Sequence, residues 1–244
     1  MTPRGHEKGS TVLRILSRPG RKGALAGVAL GGCLALTACG SMQLGAAAIV
    51  GGQRITTSNL ATQVSRLNQY TGSHTVQLAF PKSQAPQQVL SWLIRFRVRD
   101  QLASMQHINV TNGDVQRAIA AIAAQARQSG STVSLTALAA ANGLPPNLIN
   151  PDLGRYQAIQ NALITKLGGA SSSSPAEQQR IGTEFNRAQC LAAKSLHIKV
   201  SPQFGRLDYT QLSLVPAADT LSAPEPGASP SASPSAPPQF SPPC

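Results

Sequence analysis

Residues 86–107 read PQQVLSWLIRFRVRDQLASMQH, and the period of their apolar side chains decides the fold. RFRVR taken alone alternates as a strand would. Over the longer window Leu90, Leu93, Ile94, Val98, Leu102 and Met105 recur every three or four residues, and Trp92 and Phe96, four apart, lie on a second side with Ala103. The longer window outweighs the short one. It predicts a helix opened by Pro86, whose missing N–H costs nothing at a first helical position. A helix apolar most of the way round belongs at the centre of a domain or under a partner.

Working outward, AAIVGGQRIT (47–56) reads as extended chain with a glycine turn or bulge at Gly51-Gly52. Thr56 or Thr57 is placed to cap a helix carrying Leu60, Val64 and Leu67. Residues 70–86, with Gly, Ser, His and two Pro, read as a loop. Downstream, Thr111 and Asp114 form a capping pair for a helix with Val115, Ile119, Ile122 and Ala126. Ser134 opens another, closed by Asn142-Gly143. Residues 153–167 form a further helix ended by Gly168-Gly169. After a polar hinge, Ser174-Pro175-Ala176-Glu177 reads as a capping box with Pro at the first helical position. That last helix runs to about residue 195, with Ile181, Phe185, Ala188 and Ala192 on one face. HIKVSP and DYTQLSLVP then look like two short strands around a QFGR turn. The fold class expected is mostly α with a small β component.

The 244 residues carry a formal net charge of +12, and only 4% are aromatic. The core should therefore be aliphatic. The basic residues are scattered rather than clustered on one arm, which speaks against a nucleic-acid partner and fits weak attraction to an anionic membrane or wall. Residues 216–244, dominated by Pro, Ser and Ala, lack the apolar content to fold and are expected to be a disordered spacer.

A basic N-terminal stretch precedes ALAGVALGGCLALTA (24–38), too short to span a bilayer and placed as an export signal would be. Leu36-Thr37-Ala38-Cys39 resembles the lipobox of bacterial lipoproteins. That resemblance implies that Cys39 is lipidated after cleavage before it, giving an anchor of several acyl chains. A plain secretory signal and lipidation at Cys33 are the competing readings. The chain divides into a signal (1–38), a flexible tether (39–46), a domain (47–215) and the tail (216–244). Cys190 and Cys244 can pair in an oxidising compartment. The helical pattern around Cys190 favours a plain buried thiol instead, and no metal-ligand spacing is present.

The order of elements resembles the N-terminal domain of the extracytoplasmic folding factors SurA and PrsA, in a lipoprotein form. Val50-Gly51-Gly52-Gln53-Arg54-Ile55-Thr56 stands where the family has V-N-G-x-x-I-T. Leu90-x-x-Leu93-Ile94, then Ile108-Asn109-Val110-Thr111-x-x-Asp114-Val115, and Ile198-Lys199-Val200-Ser201-Pro202 follow in family order. The resemblance covers about 47–215 and implies a helical body whose first strand pairs with late strands. It leaves no room for the parvulin isomerase domain that many relatives carry, so isomerase activity is not expected.

No nucleophile elbow, phosphate loop, zinc-helix or dinucleotide motif occurs. His74, His107 and His197 are far apart, so no enzyme, cofactor, metal or small-molecule substrate is inferred. The expected function is a lipid-anchored holdase for unfolded or exported client proteins. Its client surface would combine Trp92, Phe96 and Met105 with Arg95 and Arg99. The competing reading makes the two aromatic residues plain core and the arginines a solvated face. A structural or adaptor lipoprotein holding one specific envelope partner fits the same residues.

Overall fold

Two glycines set the first turn. Gly51 and Gly52 both have positive φ, +58° and +77°, which glycine adopts without steric penalty, so β1 (Ala46–Val50) folds back antiparallel on β2 (Gln53–Thr56). The computed structural model describes residues 44–128, 133–169 and 174–215. The signal, Cys39, most of the tether and the tail therefore lie outside the described residues. β1 opens at Ala46, one residue before the expected domain start.

Among the described residues six α-helices follow: α1 (Thr57–Ser73), α2 (Ala85–Met105), α3 (Asn112–Gln128), α4 (Leu135–Ala141), α5 (Gly154–Lys166) and α6 (Pro175–Ser195). Their ends obey local chemistry. Thr56 Oγ1 accepts the Asn59 N–H at 3.0 Å and Ser134 Oγ accepts that of Ala137 at 3.1 Å. Asp114 Oδ2 accepts the Thr111 N–H at 2.8 Å and its hydroxyl at 2.6 Å, closing a reciprocal cap on α3. Gly143 and Gly168 take the left-handed conformation after α4 and α5. α1 runs four residues into the segment read as loop, to Ser73.

The box expected at Ser174 does not form: its side chain makes no capping bond. Glu177 turns instead to Arg180, three residues on, which also bonds Glu184 Oε1 at 2.7 Å and donates to the Leu167 carbonyl at 3.0 Å. A guanidinium that bridges two carboxylates and a helix end outcompetes one backbone N–H for the Glu177 carboxylate.

α2 is the central helix, packed by α1, α5, α6, β1 and β5. Leu90, Ile94, Val98 and Leu102 are fully buried in the main core with Leu60, Leu67, Leu163, Ala192 and Ala193. Each such aliphatic side chain contributes about 2 kcal/mol by leaving water. The late chain returns to the start through β3 (Lys199–Val200), which pairs antiparallel with β1 in the order β2-β1-β3, the closure expected of the fold. The last two strands differ from expectation. β4 (Arg206–Asp208) and β5 (Ser213–Val215) form a hairpin of their own. It is held to α2 by the Leu214 N–H on Ser91 Oγ at 3.1 Å and by Arg95. Cys190 also differs: it is half-buried and disulfide-bonded rather than a buried free thiol.

Candidate client-binding groove

The second apolar side of α2 is filled by α5 rather than left open. Tyr156 meets Trp92 and Phe96 edge-on, with ring centroids 6.2 and 6.0 Å away, and Trp92 and Phe96 are 5.8 Å apart. The Trp92 indole N–H donates to the Asn142 carbonyl at 3.0 Å. Around these rings Ala139, Leu144 and Ile149 close a second small core.

The two arginines complete it. Arg99 is only 2% exposed. Its guanidinium lies 4.0 Å over Tyr156 and 4.9 Å from Phe185, and one Nη donates to Gln189 Oε1 at 3.0 Å. Burial lowers its pKa, with Tyr156 acting the other way. Arg95 covers Trp92 at 5.1 Å and donates through Nε to the Leu212 carbonyl at 3.0 Å. Met105, 42% exposed, sits at the far end of α2 beside Ser195, about 20 Å along the axis from Trp92. Of the five expected client-binding residues, the structure gathers four into an aromatic–cation cluster and leaves Met105 apart. Within the cluster Phe96 and Arg99 are buried and Trp92 and Arg95 half-buried. The cause is tertiary: α5 and α6 cover this side of α2, while Arg97 and Asp100 stay exposed on another.

The accessible apolar feature lies on α1. Its core edge carries Leu60 and Leu67, and the adjoining flank carries Thr57, Ala61, Val64, Asn68 and Gly72. Along that flank run two depressions of about 430 and 370 Å³ that meet at Asn68. Pro86 from α2 and Phe204 from the turn after β3 wall the first, which is mainly apolar. Val76, Leu78 and Phe80 wall the second, with Lys82 at its rim. From Thr57 to Gly72 the trough spans about 22 Å, the length of about seven residues of extended polypeptide. The two halves join at Asn68, whose side-chain oxygen is buried beneath the trough with no hydrogen-bond partner. The reading of the sequence missed this site. Its local signal was an apolar flank, Ala61 and Val64, wider than one buried stripe requires. Its far wall, Phe204, comes from 140 residues on.

Among the described residues no three metal-ligating side chains come together, and no helix is long and apolar enough to cross a membrane. No curated protein and no solved structure matches the chain. A family model described as a SurA-like N-terminal domain matches residues 24–164, more than half of the chain. That family is chaperone-like and binds client polypeptides in general. The match spans β1 through nearly all of α5, including α1 and the segment that walls its trough, and on it the chain belongs to the SurA-like N-terminal domain family.

Proposed function

We propose that the protein is a lipid-anchored, extracytoplasmic holdase that takes short apolar stretches of unfolded or exported polypeptides into the α1 trough, without catalytic or isomerase chemistry. The observation that carries this reading is the trough itself, an open channel of peptide length that is mainly apolar in its first half and mixed in its second. Family membership supports polypeptide as the ligand class. The lipobox-like Leu36-Thr37-Ala38-Cys39 supports the anchor, with Cys39 as the lipidated residue. The disulfide at Cys190 supports an oxidising compartment. Shallow, largely apolar contact gives weak, sequence-tolerant binding, which a holdase needs and a dedicated adaptor does not.

The test is suppression of light scattering by a chemically denatured client at rising ratios of mature protein. Wild type should suppress it in proportion to dose. Ala61→Arg and Val64→Arg each place a long cation in the trough from a position that is not fully buried, so suppression should fall several-fold with little change in melting temperature. Absence of suppression at several-fold excess, or full activity in both variants, overturns the reading. A single stoichiometric partner in pull-downs would favour the adaptor.

A further inference from the structure

A second groove, of about 340 Å³, lies between α5 and α6 and is largely apolar. Ile164 and Gly169 form one wall; Ile181, Gly182, Phe185 and Asn186 form the other. Above Gly182 the space is open: a Cβ built there meets no atom within 4 Å. Asn186, at one end of the groove, is one helical turn before Cys190, so the disulfide stands beside the groove's exit. Cys190 is the only cysteine among the described residues, and the others in the chain are Cys33, Cys39 and Cys244.

We propose that residues 237–244 (PPQFSPPC) are fastened to α6 by a Cys190–Cys244 disulfide and lie along the α5–α6 groove with the Phe240 ring over Gly182. The choice of Cys244 rests on the lipoprotein reading above. There Cys33 leaves with the signal, and the Cys39 sulfur becomes a thioether that cannot form a disulfide. The axial spacing matches. Gly182 precedes Cys190 by eight residues, about 12 Å along a helix. Phe240 precedes Cys244 by four, about 12 Å in the polyproline II conformation that Pro-rich sequence prefers. Phe240 is the only aromatic residue after Tyr209, and Ile181 and Phe185 supply the apolar walls a ring needs. Reach is ample: the 24 residues between Val215 and Phe240 extend to about 80 Å, against about 30 Å for twice the radius of gyration of a domain this size.

The bond forms by thiol–disulfide exchange with an external disulfide oxidant. One thiolate of the pair attacks it, giving a mixed disulfide and releasing one oxidant thiol. The second thiolate then displaces the other, so two protons and two electrons pass to the oxidant.

Non-reducing peptide mapping of the mature, exported protein tests the pairing, and hydrogen exchange over residues 178–187 tests the docking. The expected map shows a Cys190–Cys244 peptide that dithiothreitol splits, beside a lipidated Cys39 peptide. Phe240→Ala should speed exchange over 178–187 several-fold with the disulfide intact, and Cys244→Ser should do at least as much. Cys190 joined to Cys39 or Cys33 would overturn both the strap and the lipoprotein reading. A lipidated Cys39 with Cys190 free, or joined to a second chain, would overturn the strap alone. Unchanged exchange in Phe240→Ala would overturn the docking. None of these readouts depends on client binding in the α1 trough.

Discussion

Arg99 is the place to separate packing from charge. The side chain is buried, sandwiched between Tyr156 and Phe185, and donates through one Nη to Gln189 Oε1, while Nη1 is buried without a partner. Arg99→Ala deletes the stem and head from a closed site. A large-to-small change there costs about 2–5 kcal/mol, and the stranded Gln189 oxygen adds about 1–3 kcal/mol. A loss of about 4 kcal/mol corresponds to a melting temperature lower by about 8–16 °C in a domain of this size. Arg99→Met keeps an apolar stem between the two rings and removes the charge. It forfeits two cation–ring contacts worth up to about 2 kcal/mol each and also strands Gln189. It regains the several kcal/mol spent in desolvating a guanidinium that is incompletely bonded. The two sides nearly cancel, so Arg99→Met should lie within about 1.5 kcal/mol of wild type, and adding Gln189→Leu should close the gap. Urea and thermal unfolding of the three variants measure this. If Met is as damaging as Ala, the charge itself holds the cluster and the desolvation argument fails. Aggregation suppression by Arg99→Met should match wild type, because Arg99 is an interior residue; a specific loss would return the cluster to the client surface.

The β1–β2 turn gives a steric prediction. Gly51 has φ +58°, and an added Cβ would stand 2.6 Å from Leu196 Cδ2, so Gly51→Ala should destabilise by about 2 kcal/mol. Gly52→Ala, with open space around it, should cost about 1 kcal/mol. Asp114 accepts two bonds from Thr111 and pairs with Arg117, which holds its carboxyl below the usual range. A carboxyl whose folded pKa is lowered contributes stability above its unfolded pKa of about 4 and loses it as pH falls through the folded value. Asp114→Asn should therefore flatten the acid limb of a melting-temperature profile. Asp152 runs the other way: partial burial and then Asp100 raise its pKa, against Arg97. Its charged form is disfavoured in the fold, so stability rises as pH drops through the raised value. Asp152→Asn should therefore raise the melting temperature near pH 7, by an amount that solvent screening keeps small, and the gain should vanish near pH 3.

What could be read from the sequence was whatever neighbours in the chain decide. α2 was legible because its apolar residues surround it within one window, and Thr111, Ser134 and Gly143 mark helix ends through partners within five residues. Even local rules failed where a third residue competed, as when Arg180 drew Glu177 away from the cap of α6. The sites were hidden for a different reason. Arg99 sits among basic residues in RFRVR and reads as one more solvated charge. It is buried because Tyr156 and Phe185, 57 and 86 residues further on, arrive to cover it. For Trp92 and Phe96 the sequence leaves client surface and plain core both open, and it is the same Tyr156, packed edge-on against the two rings, that covers them. The converse holds for α1, whose Ala61 and Val64 look unremarkable until Phe204 and Pro86 raise walls on either side. A central helix recruits its covering from distant chain, so apolar residues on it argue for core. A peripheral helix with a modest apolar flank keeps that flank open, and that is where a weak, general polypeptide site belongs.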